Sequence, residues 1–75
     1  MTNEEIMQEF LLKFKGQNKG VKMHLTDTIQ KRIVKDYHFN TDDAIDYILN
    51  SGYFEFHVPD AVSLTDEGFE YVHEH

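Results

Sequence analysis

The apolar positions of this chain fall into short periodic runs, each closed by a residue that stops it. Ile6, Met7, Phe10, Leu11 and Phe14 recur at helical spacing on one face. They follow Thr2-x-x-Glu5, a capping box in which each side chain accepts a backbone N–H at the start of a helix. Gly16 ends that helix, and residues 16–20 read as a loop. Val21, Met23 and Leu25 then alternate with Lys22 and His24, the period of a short, half-buried strand. Thr26 or Asp27 caps a second helix that turns Ile29, Ile33 and Val34 inward and Gln30, Lys31, Arg32 and Lys35 outward. Tyr37, His38 and Phe39 make the next turn, with Phe39 as its anchor.

Asn40 or Thr41 caps a third helix whose apolar stripe is Ala44, Ile45, Ile48 and Leu49, and Gly52 stands where a left-handed residue ends a helix. Phe54, Phe56 and Val58 alternate with Tyr53, Glu55 and His57, which predicts a strand with one buried face. Pro59-Asp60 turns the chain, Val62 and Leu64 mark the return strand, and Thr65 caps a last helix that buries Phe69 and Val72. The pattern accounts for residues 1–75 as one domain without linker or repeat.

Composition adds constraints. A chain of 75 residues buries only about 60% of its unfolded surface. Six Phe and four Tyr therefore carry much of the core, and self-association into a homodimer is open to so small a domain. With no cysteine, disulfides and thiolate metal sites are excluded. The acidic start, Met1 to Glu5, is unlike a secretory signal. The longest apolar run, Phe10 to Leu12, is far short of the ~20 residues of a membrane span. A cytoplasmic protein with no membrane contact is the expectation.

The net charge of −7 is unevenly distributed. All seven bases (Lys13, Lys15, Lys19, Lys22, Lys31, Arg32 and Lys35) lie between positions 13 and 35, opposed only by Asp27, which leaves that window at +6. From Asp36 to the end there are ten acids and no Lys or Arg. Such asymmetry bears on partners and association, not on the fold.

Two segments carry a family resemblance. Ile45-Asp46-Tyr47-Ile48-Leu49-Asn50-Ser51-Gly52-Tyr53-Phe54 is similar to the I-x-x-L-x-x-x-G-Y/L-I join between recognition helix and wing. Ser63-Leu64-Thr65-Asp66-Glu67-Gly68-Phe69-Glu70-Tyr71-Val72 resembles the L-T-x-x-G-x-x-Y-L exit from the wing. Both occur in MarR-like and PadR-like regulators, and the second, with its short wing, in the small YjcQ-like proteins of Gram-positive bacteria and their phages. The resemblance implies an α+β winged helix, a helix-turn-helix variant, in the order helix, strand, helix, helix, strand, strand, helix. It also raises a phage or mobile-element origin, but fold alone does not set function.

In winged helices that read DNA, the third helix enters the major groove and cations supply most of the affinity. Here the outer face of that helix carries Asp42, Asp43, Asp46, Tyr47 and Asn50, and the hairpin adds Glu55 and Asp60. These carboxylates oppose phosphate, so the usual docking mode is disfavoured. The acids read as a protein-binding face or as a solvated face whose first-turn acids suit the helix dipole; cation coordination is the weakest reading, since hard-metal sites need more oxygen ligands from a shaped loop. The seven bases have two readings, a sequence-independent phosphate contact or ordinary solvated lysines. A basic and an acidic face on one molecule also permit head-to-tail association. Tyr47, Tyr53 and Tyr71 are the candidate aromatic anchors for any partner.

No catalytic constellation appears. Ser51 ends a helix, Ser63 sits in a strand, and 16–20 lacks the phosphate-loop pattern. His73-Glu74-His75 reads as a frayed terminus, not a metal site. The expectation is a non-enzymatic accessory or regulatory module in a nucleic-acid process, free of cofactor and metal, which acts by protein–protein contact through Asp42, Asp43, Asp46, Tyr47, Asn50 and Glu55. The alternative is a DNA-binding transcriptional regulator that uses the basic patch on helix two.

Overall fold

Thr2 and Glu5 close their capping box as expected: Glu5 N–H donates to Thr2 Oγ1 (3.1 Å) and Thr2 N–H to Glu5 Oε1 (2.9 Å). They start α1, Asn3–Leu12, in a computed structural model whose described residues are 1–74. The remaining elements are β1 (Met23–His24), α2 (Thr26–Thr28, continuing with π-type bonding over Ile29–Ile33), α3 (Asp42–Leu49), β2 (Phe54–His57), β3 (Ala61–Leu64) and α4 (Asp66–Glu74). The chain is thus a small α+β domain with four helices and a three-stranded antiparallel sheet, ordered β1-β3-β2.

The core forms where the periodic faces converge. Ile6, Met7, Phe10 and Leu11 of α1 are buried, together with Ile29, Ala44, Ile48, Val62 and Val72 from the other elements. At its centre Phe10 stacks on Phe54 with ring centroids 5.3 Å apart, and Phe14 meets both rings at 5.5 and 5.9 Å. Such aromatic contacts add about 0.5–1.5 kcal/mol each beyond burial of their area, and they tie α1 to the sheet.

The two resembling segments are stitched to each other. Thr65 N–H donates to the Tyr53 carbonyl (3.1 Å), the Thr65 hydroxyl to the Gly52 carbonyl (2.7 Å), and Gly68 N–H to Thr65 Oγ1 (3.2 Å). Gly52, at φ 83°, ends α3 and aims its carbonyl at Thr65. Gly68 lets α4 press on the chain at Tyr53: a Cβ there would stand 2.1 Å from the Tyr53 carbonyl oxygen. The L-T-x-x-G pattern therefore has a steric cause in this molecule.

Several features differ from the sequence expectation, among them Leu49 of the α3 stripe, which is exposed, and Thr41, whose side chain does not cap α3. The start of α2 is capped by neither Thr26 nor Asp27, but from across the chain by Asp60. Thr26 N–H donates to both its carboxylate oxygens (3.1 and 3.2 Å), and the Thr26 hydroxyl donates to Oδ1 (2.7 Å). The helix then widens. Val34 N–H reaches back five residues to Ile29 O (2.8 Å), Asp36 N–H six residues to Gln30 O (2.9 Å), and Lys35 takes a left-handed φ of 61°. Finally, the alternation along β2 buries only Phe54. Phe56 is 43% exposed and Val58 84%, because the hairpin projects past the end of the core.

Candidate functional site

Two concave surfaces gather the charged residues, one acidic and one basic. The acidic groove, about 620 Å³, runs between the first turn of α1 and the outer face of α3. α3 buries Ala44 and Ile48, so its opposite side presents Asp43, Asp46, Tyr47 and Asn50 to solvent. Across the groove stand Asn3, Glu4 and Met7 of α1, and Ser51 and Tyr53 close its end. Three carboxylates line it, and among the described residues no Lys, Arg or His does. At α1 the acids Glu4 and Glu5 fall in the first turn, where the helix dipole favours them.

Hydrogen bonds within the chain shape this surface. Asn50 Nδ2 donates to the Asp46 carbonyl (2.8 Å), which fixes the amide at the end of α3. The Ser51 hydroxyl donates to the Ile48 carbonyl (2.6 Å), and Tyr53 packs against Tyr71 with ring centroids 5.0 Å apart. Tyr47 stays 40% exposed above the groove. Asp42 lies outside the lining, at the first position of α3, where its own N–H donates to Asn40 Oδ1 (2.9 Å). Glu55 is also outside it, exposed on β2. Asp60 is not a free acid at the hairpin tip, because its carboxylate is bound by Thr26.

The basic cleft, about 320 Å³, lies between β1 and α2 and is lined by Lys22, Met23, His24, Asp27, Thr28, Lys31 and Arg32. Strand alternation sends Lys22 and His24 outward, and the π-bonded stretch of α2 carries Lys31 and Arg32. Asp27 tempers the charge, since Lys31 Nζ donates to its Oδ2 (3.3 Å) one turn away. The other four bases do not line this cleft. Lys19 pairs with Asp66 at the start of α4, Lys13 caps the end of α1, Lys15 lies in the turn after it, and Lys35 makes the left-handed exit from α2. The seven bases are thus divided, with Lys22, Lys31 and Arg32 brought together.

Sequence reasoning named Asp43, Asp46, Tyr47 and Asn50 but missed Glu4, Asn3 and Met7, which face them from α1. The periodicity of α1 puts Asn3 and Glu4 outside its core stripe and Met7 within it, but only tertiary packing sets them against α3. Ser63, assigned to a strand, is buried and 2.8 Å from His57 Nε2 across the hairpin. Among the described residues no group of three or more His, Asp or Glu is placed to hold a metal ion, and no helix is long and apolar enough to cross a membrane. Of the C-terminal trio, His73 places Nδ1 3.0 Å from the Phe69 carbonyl, and His75 lies outside the described residues. Neither protein-family models, curated proteins nor solved structures give a match to this chain.

Proposed function

We propose that this chain is a non-enzymatic winged-helix module that serves a nucleic-acid process by holding a protein partner in the groove between α1 and α3. The winged-helix reading is supported by the sheet order, in which β1 joins the hairpin on the β3 side, and by the two stitched motifs. On that reading α3 occupies the place of the DNA-reading helix. The observation that carries the proposal is the lining of the groove: Glu4, Asp43 and Asp46 with two tyrosines and, among the described residues, no cation. Such a surface repels phosphate and suits a basic partner, with Tyr47 as the aromatic anchor.

A second reading has its own support, since Lys22, Lys31 and Arg32 share a cleft able to meet a DNA backbone without reading sequence. Anisotropy of labelled duplex DNA across a salt series, with pull-down by the tagged protein, separates the two. The first reading expects no salt-sensitive DNA binding, and partner capture that Asp43→Lys with Asp46→Lys abolishes while the fold survives. Capture that persists in this double variant rejects the acidic groove. Salt-sensitive DNA binding that Lys31→Glu with Arg32→Glu removes puts the regulator reading in its place.

A further inference from the structure

We infer that the outer edge of β2 is a self-recognition surface, to which a second copy of this chain adds its own β2 in antiparallel pairing about a two-fold axis at Phe56. The order β1-β3-β2 gives β2 a strand neighbour on one side only. Its pairing with β3 runs unbroken from Phe54↔Leu64 to His57↔Ala61, with no bulge to twist the edge away. Phe54–His57 carries no Lys or Pro, and its one charged residue, Glu55, is matched by His57 two positions on. Phe56, on the same side as buried Phe54, and Val58, first residue of the turn after β2, are exposed beyond the core.

The short sequence of this edge is complementary to itself. Antiparallel pairing centred on Phe56 sets residue 55 opposite 57 and residue 54 opposite 58. One face then brings Phe56 against Phe56 and Phe54 level with Val58, all apolar. The other face brings Glu55 of each copy opposite His57 of the other. The Ser63 hydroxyl, 2.8 Å from His57 Nε2, donates there when the ring proton is on Nδ1, which leaves Nδ1–H to meet the incoming carboxylate. Neighbouring registers lose this match. A centre on Glu55 sets two carboxylates together, and a centre on His57 sets two imidazoles together and needs the turn residues Val58 and Pro59 to pair as strand.

A strand this short covers less than the ~1,200 Å² of a stable interface, so the pairing is a concentration-dependent equilibrium. Sedimentation of the intact chain from micromolar to millimolar concentration tests it, together with hydrogen exchange at 54–57. The expected result is a monomer–dimer equilibrium that stops at two, survives high salt, and slows exchange of the β2 amides as concentration rises. Phe56→Glu and Val58→Lys, both at exposed positions, each weaken association at least tenfold. Glu55→Lys weakens it too, and adding His57→Glu restores it by reversing the pair. A chain that stays monomeric at millimolar concentration overturns the proposal. So does association indifferent to both Phe56→Glu and Val58→Lys, or weakened by high salt as head-to-tail docking of groove on cleft requires. Failure of the paired exchange to recover what Glu55→Lys loses rejects the Phe56-centred register.

Discussion

Replacing Gly68 by alanine tests the steric account of the joint between α4 and Tyr53. In an unconstrained helix interior the change is favourable, since alanine exceeds glycine by about 1 kcal/mol in helix propensity. Here the new Cβ would lie 2.1 Å from the Tyr53 carbonyl oxygen, 3.0 Å from its carbon and 3.2 Å from Leu64 Cδ2. Leu64 can rotate, but the carbonyl is backbone and is held by the Thr65 N–H. Forcing a methyl group into a packed site costs about 1–3 kcal/mol, and the rigidity of the obstacle places Gly68→Ala at the upper end. Moving the carbonyl also loosens the Thr65 bond, worth about 1 kcal/mol. Against the propensity gain, the net expectation is a loss of roughly 2–3 kcal/mol.

Urea unfolding followed by circular dichroism measures this directly, and for a domain of this size the melting temperature should fall by about 10–20 °C. Glu70→Ala, at an exposed position of the same helix, is the control and should stay within about 0.5 kcal/mol of wild type. Unchanged or increased stability of Gly68→Ala would refute the argument, because helix propensity alone would then govern the site.

Three other perturbations probe features that local sequence does not reveal. Asp60→Ala removes the remote cap of α2 and should cost about 1–2 kcal/mol in the same unfolding assay, with Asp60→Asn costing less. Lys35→Gly relieves a left-handed side-chain residue and should raise stability by about 1 kcal/mol, provided the unusual exit from α2 is kept. The Thr2 backbone N–H, then its hydroxyl contact, hold the Glu5 carboxyl below its ordinary pKa. A lowered folded pKa stabilises above the unfolded value of about 4.3 and loses that effect as pH falls through the folded one. Glu5→Gln should therefore flatten the acid side of the stability–pH profile and leave its neutral-to-alkaline shape unaltered.

What the sequence made legible was local. The Thr2–Glu5 box, the stop at Gly52, the alternation from Val21 to Leu25 and the cap at Thr65 each depend on residues within a few positions of one another. The remainder depends on distance. Asp60 lies 34 residues from the backbone it caps, so no spacing rule could connect them. Alternation placed Phe56 and Val58 on the face of Phe54, but it carries no information on how far the core extends beneath that face. Lys35 is neither Gly nor Asn, so nothing in its type announced a left-handed backbone. Half of the acidic groove was readable from the outer face of α3. The half contributed by α1 appeared only when the two helices packed.

The bond between Asp60 and Thr26 gives the hairpin turn a mechanical role. The same residue that reverses the chain between β2 and β3 clamps the first turn of α2, and Leu25 N–H adds a second clasp on the Asp60 carbonyl at 3.1 Å. A load applied at the turn therefore passes directly into the helix that forms one wall of the basic cleft. Opening of the hairpin turn therefore strips the start of α2 of both its side-chain cap and the Leu25 bond.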